Sequence, residues 1–326
     1  MKAILVKEPG GVEQLYLGEA PTPVPGEGEL LVRVHAAGVN RPDVLQRKGK
    51  YPPPPGASTI LGLEVAGTVE ELGPNSGEWR VGDAVCALLP GGGYAEYAVI
   101  PHEMAMPVPA GMPFVEAAAI PEVFLTAYQA LYWLAGMKEG DHVLVHAGGS
   151  GVGTAAIQLV KAAGAHAHAT ASAGKLPYLQ ELGAETTIDY RTEDFAQRIL
   201  SVTDGHGADV IVDFIGAPYF HSNLEALALD GRIVMLATLG GVKVEEVDLR
   251  RLFAKRATIA ASTLRSRRRD YHVRLTRDFR RDILPLFNDG TIKPVIDRVY
   301  DWQDVADAHG RMEANENVGK IVLKVL

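Results

Sequence analysis

Between Asp141 and Gly164 the chain reads "DHVLVHAGGSGVGTAAIQLVKAAG". An apolar run enters a glycine turn, and the turn opens into an Ala-rich stretch. There Val152, Ala155, Ala156, Leu159 and Ala163 recur at helical spacing until Gly164 offers a stop. Strand, glycine turn and helix in that order constrain the fold more than any other feature, because such a unit buries its strand only in a sheet of similar units. Further strand candidates follow at 165–171, 186–190, 208–216, 232–238 and 257–263, with helical stretches between most of them. Six strands with crossovers of this length predict a doubly wound parallel sheet in an α/β protein.

Before Pro121 the pattern is different. Short alternating runs such as "KAILV", "ELLVRVHAAG", "LEVAGTVEEL" and "DAVCALL" are broken by glycine and proline, which predicts a β-rich domain. The proline-dense "PTPVPGEGE" and "YPPPPGAS" are loops, since proline removes ladder donors. Near the carboxyl end Tyr271, Leu275, Phe279 and Ile283 lie four apart on one helical face, and "GKIVLKVL" reads as a last strand that returns to the first domain. The domains expected are 1–121 with 288–326, and 122–287.

The glycine turn suits a dinucleotide. Gly148, Gly151 and Gly153 let backbone approach a pyrophosphate where a helix begins, and Ser150 stands where the middle glycine of G-x-G-x-x-G belongs. A serine-hydrolase elbow is excluded, because the residue two after Ser150 is Val152. After the second strand, "HATASAGKLPY" holds no acid to accept from the ribose hydroxyls of NAD. Ser172 and Lys175 offer a hydroxyl and an ammonium instead, which favours NADPH.

Composition narrows the classes further. A formal charge of −8 over 326 residues supplies no basic field for nucleic acid. Cys86 is the only cysteine, so neither an internal disulfide nor a four-thiolate zinc lobe can form. The amino-terminal apolar run is too short for a signal segment, and no stretch reaches the ~18 apolar residues of a membrane span. Cytoplasmic localisation is the expectation.

The segments "AAGVNRPDVLQRKGKYPPPPGAS", "ILGLEVAGTVEELG", "LLPGGGYAEY", "IPEVFLTAYQAL", "HAGGSGVGTAAIQL" and "LRSR" together cover nearly the whole chain. In them it resembles the zinc-free quinone oxidoreductase (zeta-crystallin-like) branch of the medium-chain dehydrogenase/reductase superfamily, most of all the tumour-suppressor-inducible subgroup. The resemblance implies a GroES-like catalytic domain, a Rossmann domain and a homodimer. Zinc-dependent relatives take ligands from a Cys in "GVC", a His in "GHE" and a Cys near the "TAY" helix. Here those places read Asn40, Leu63 and Glu122 or a neighbour, so no catalytic metal is expected.

By the same resemblance, Asn40 and Tyr51 face the nicotinamide and the substrate. Thr126 helps to hold the nicotinamide, and Gly148, Ser150, Gly151, Val152 and Gly153 hold the pyrophosphate. Ser172, Lys175 and Tyr190 surround the adenosine phosphate, while Leu239, Gly240, Gly241, Leu264, Arg265, Ser266 and Lys320 line the remaining nucleotide groove. The expected activity is metal-independent hydride transfer from NADPH to quinones or other electron-poor small molecules. Reduction of an activated C=C bond, as in enoyl or alkenal reductases, is the alternative. A non-catalytic NADPH- or RNA-binding protein is the rival from another class, motivated by "RSRRR" at 265–269. His166 and His168 alternate on one strand face, but no third metal donor is evident near them in sequence.

Overall fold

A computed structural model describes every residue from Met1 to Leu326. The chain divides into two units, Met1–Leu125 with Arg265–Leu326, and Thr126–Leu264.

In the first unit, β1 (Lys2–Val6) and β2 (Leu15–Glu19) form an antiparallel ribbon. Five further strands follow: β3 (Glu29–Val39), β4 (Glu64–Leu72), β5 (Ala84–Leu88), β6 (Tyr97–Pro101) and β7 (Met106–Pro107). Alternation along β3 and β4 turns Leu30, Val32, Val34, Val65 and Val69 into one core with Ile100, Ile321 and Leu323. The prolines of both proline-dense stretches lie outside strands and helices, as the missing donors require.

The second unit is the predicted parallel sheet. Its strands are β8 (His142–Val145), β9 (His166–Ala171), β10 (Thr186–Asp189), β11 (Ala208–Asp213), β12 (Leu227–Met235) and β13 (Thr258–Ala261). They lie in the order β10-β9-β8-β11-β12-β13, all parallel, so the chain reverses direction of winding beside β8. Central strands buried on both faces explain why "VLV" and "VIV" are uninterrupted apolar runs.

From Arg265 the chain is again in the first unit, which gains β14 (Ile296–Asp301) and β15 (Lys320–Lys324). The strand β15 pairs in parallel with β14 and antiparallel with β3, which completes a seven-stranded sheet. Helix Arg269–Asp282 buries Leu275 and Phe279 in this unit, with Ile283 just beyond its end, and leaves Tyr271 half-buried. Its Arg280 donates to Ala105 O at 3.3 Å and lies over Trp79. The segment 265–287, which the sequence pattern groups with the nucleotide half, therefore stands in the first unit. No helix is long and apolar enough to cross a membrane.

Candidate active site

In the second unit, the carboxyl ends of the strands gather most of the expected cofactor residues on one edge, where ligands of open α/β sheets bind. The turn after β8 leads into helix Gly151–Ala162, and Ser150 is its N-cap: Ser150 Oγ accepts from Gly153 N at 3.0 Å. The hydroxyl that interrupts the glycine pattern thus satisfies one of the helix's own free N–H groups. A Cβ on Gly153 would lie 2.5 Å from Ala147 O, so only glycine fits there. Lys175 lies along this turn, with its Cδ 2.8 Å from where a Gly149 Cβ would stand. Ser172 precedes the short helical turn Ala173–Lys175, and Tyr190 follows β10, partly exposed. Leu239 N and Gly240 N donate to Phe214 O and Ile215 O at 3.0 and 2.9 Å, which ties 239–241 to the end of β11. Leu264 is buried.

A buried hydrogen-bonded relay supports this edge. Asp213 accepts from Ile215 N at 2.6 Å and from Asn223 Nδ2 at 3.1 Å. Since that amide nitrogen donates, Asn223 Oδ1 accepts from His146 Nε2 at 2.7 Å, and His146 Nδ1 accepts the Thr170 hydroxyl at 3.0 Å. Burial pushes the His146 pKa down to about 4, which keeps the ring in this neutral tautomer.

The first unit carries a polar centre of its own. Lys320 is buried: it donates to Val39 O at 2.9 Å and to Asn40 Oδ1 at 2.6 Å, and its ammonium pairs with Glu64 Oε1 at 2.6 Å. Asn40 is equally committed, since its Nδ2 donates to Glu64 Oε1 at 2.9 Å. Glu64 Oε2 accepts from Glu122 N at 2.8 Å, at the start of helix Pro121–Tyr128. Desolvation and then the Glu64 charge hold the Glu122 carboxyl at about 8, so it is an acid at neutral pH.

Asp43 braces Asn40 from behind, with Oδ2 accepting from Asn40 N at 2.8 Å and Oδ1 from Gly62 N at 3.1 Å. Arg47 can only donate, so its 3.4 Å contact makes His309 Nδ1 an acceptor. His309 Nε2–H then donates to Tyr94 Oη at 3.3 Å, and Tyr94 Oη–H donates to Asp43 at 3.1 Å. Arg47 pairs at its far side with Glu313, which also takes Lys48. Only Asp43 left a trace in the sequence, as the last member of "NRPD", a helix-start pattern. Tyr51 is half-buried beneath Arg265, whose guanidinium carbon is 5.3 Å from the ring centre. Arg265 and Ser266 belong to the first unit, unlike the other expected cofactor residues up to Leu264.

With this geometry in view, two family models match: the alcohol dehydrogenase GroES-like domain over residues 26–110 and the zinc-binding dehydrogenase model over 182–323. The Mus musculus synaptic vesicle membrane protein VAT-1 homolog is 32% identical, across 96% of this chain and 81% of its own length. The chain belongs to the medium-chain dehydrogenase/reductase superfamily. Solved structures agree and fit the zinc-free quinone oxidoreductase branch. A mycobacterial quinone oxidoreductase is 33% identical over the whole of both chains, with a TM-score of 0.86. A mycobacterial protein solved with NADPH is 33% identical over the same span, with a TM-score of 0.88. An NAD-dependent alcohol dehydrogenase is 34% identical over all of both chains, TM-score 0.88. The JamJ enoyl reductase is 26% identical over 99% of this chain and 98% of its own, also at 0.88.

A zinc site does not fit this medium-chain reductase. The oxygens of Asn40 and Glu64 are taken by an ammonium, Leu63 is aliphatic, and burial pushes the Cys86 thiol up to about 12. Nor do the strand histidines form a metal centre: His166 pairs with Glu185 and His168 with His142, and no group of three donors converges. The arginines of "RSRRR" and the following helix are interleaved with carboxylates, Arg268 with Asp270, Arg269 with Glu103 and Arg281 with Asp282. A nicotinamide nucleotide does fit. The glycine turn is cradled where side chains would clash, and Thr126 Oγ1 is buried without a hydrogen-bond partner.

Proposed function

We propose that this medium-chain reductase is an NADPH-dependent, metal-independent reductase of quinones and similarly electron-poor acceptors. The observation that carries the reading is Lys175 laid along the glycine turn, with Ser172 beside it and no carboxylate at the end of β9. A 2′-phosphate of charge ~−1.5 to −2 suits that pair, whereas a ribose diol alone calls for an acid. Gly148, Ser150, Gly151, Val152 and Gly153 hold the pyrophosphate, and Tyr190, with residues 239–241, borders the nucleotide. When bound, the nicotinamide supplies hydride. The first unit supplies an electrostatic frame: Lys320 fixes Asn40 and Glu64, and Tyr51 orients the acceptor. A quinone spreads the charge it gains, so a strong protein acid is unnecessary.

One observation favours a second substrate class. Reducing an activated C=C bond needs a proton for carbon or the enolate, and Glu122 is a carboxyl that keeps its proton to about pH 8. Similarity to an enoyl reductase points the same way. Rates of NADPH and NADH oxidation with 1,2-naphthoquinone, a medium-chain enal and an enoyl thioester decide among these. NADPH with the quinone is expected to be fastest; a clear preference for NADH would overturn the cofactor assignment.

We also infer a homodimer. The edge strand β13 has β12 on one side only, and Leu249 and Phe253 are exposed on the preceding helix. Sedimentation at twice the chain mass checks this.

A further inference from the structure

Arg265 is gripped on two of its three nitrogens. Its Nε donates to Pro90 O at 2.8 Å, and its Nη2 donates to Gln46 Oε1 at 2.7 Å. Gln46 is itself held, donating through Nε2 to Thr59 O at 3.0 Å. The guanidinium plane is therefore fixed, and it covers the Tyr51 ring at 5.3 Å. The third nitrogen, Nη1, is buried and has no hydrogen-bond partner. A buried donor without an acceptor is costly, and a charged one more so, so a rigidly aimed orphan marks a place for an oxygen to arrive. Tyr51 and the Glu122 carboxyl are the other ionisable groups that act on it besides Asp43.

We propose that Arg265 Nη1 and the Tyr51 hydroxyl form the oxygen-recognition pair of this reductase, selecting conjugated carbonyl compounds, quinones and enones alike, by the oxygen that becomes anionic. This rests on the reductase reading above and deepens it. Hydride adds to the conjugated system, the electron pair moves to the carbonyl oxygen, and that oxygen gains the charge. Arg265 stabilises the oxyanion where it forms, because a donor already in place needs no reorganisation. The oxyanion takes its proton from water, giving hydroquinone or enol. A guanidinium remains charged throughout and donates no proton itself.

The test uses a probe that needs no turnover. The 4-nitrophenolate anion carries an oxygen with delocalised charge, and its absorbance moves when that oxygen accepts a strong hydrogen bond. Wild-type protein saturated with NADP⁺ is expected to bind it with a spectral shift. Arg265→Met should weaken that binding at least tenfold, and Tyr51→Phe less. NADPH affinity, followed by its fluorescence, should fall by much less than the phenolate affinity does. With turnover substrates, Arg265→Met should lower kcat/KM for naphthoquinone and for an enal together, and added guanidinium should restore part of it. Arg265→Lys, which keeps the charge but not the fork, tests a merely structural role: normal melting with the phenolate shift lost supports the pair. Equal phenolate binding in wild type and Arg265→Met overturns the proposal, as does absence of binding to wild type or a loss that follows NADPH affinity. If wild type binds the phenolate but reduces no quinone or enone, the functional reading fails and the recognition pair stands.

Discussion

In the proposed reading Lys175 decides the cofactor through one charged contact, so its removal has a selective signature. A hydrogen bond to a charged group contributes ~1.5 to 3 kcal/mol. Lys175→Ala should weaken NADPH by about 10- to 150-fold and leave NADH nearly unchanged, as measured by fluorescence titration of both. Equal losses would remove Lys175 from the phosphate. Glu122 makes a prediction in pH. Its folded pKa of about 8 lies above the ordinary carboxyl value of 4.5, so the folded protein keeps a proton that the unfolded chain has already released. Unfolding then releases that proton, and stability must fall as pH rises from about 4.5 towards about 8, flattening above it. Glu122→Gln should remove this slope, so that its melting temperature gains on wild type steadily between pH 5 and 8. A constant difference across that range would place Glu122 in water.

Among the elements, the turn before helix Gly151–Ala162 was legible because glycine, small polar cap and apolar periodicity stand consecutively in the chain. What the pattern could not show is the direction of the Ser150 hydroxyl, which closes on Gly153 N. Ser150→Ala should therefore cost ~0.5 to 2 kcal/mol of stability as a lost cap, with NADPH binding changed only a few-fold. Urea unfolding measures the first and fluorescence titration the second. The ion pair joining β15 to β4 was not legible at all, because Lys320 and Glu64 are far apart in sequence and each reads as a surface charge. Lys320→Met leaves Glu64 buried beside an amide with no cation, and breaking a buried pair in this way costs ~3 to 5 kcal/mol. An unfolding midpoint within error of wild type would mean that the pair contributes nothing to stability. The strand β14 escaped notice for a related reason: "IDRVYD" lies at a sheet edge and alternates with charges.

At the scale of the molecule, the sequence shows the nucleotide half more plainly than the other. Six parallel strands buried on both faces write continuous apolar runs, and the glycine turn marks which end of the sheet takes ligand. The first unit hides its centre. Arg47, Glu64, His309 and Lys320 are charged or polar residues that pattern reading assigns to solvent, yet all four are buried and meet only after the chain has closed on itself. That closure also bears on the metal question, because the cation of this centre is part of the polypeptide. An ammonium at 2.6 Å from both an amide and a carboxylate oxygen already neutralises the donors that a divalent ion would need. A metal could bind there only by displacing Lys320 and leaving its ammonium buried, which low-dielectric surroundings oppose. Purified protein should therefore hold far less than one zinc per chain by elemental analysis and keep its turnover after prolonged chelation. Added zinc should leave the rate unchanged and should not raise the melting temperature, which binding to the folded state alone would shift upward by mass action. Activity lost to a chelator and restored by zinc would show that Lys320 yields its place, and the metal-independent reading would fall with it.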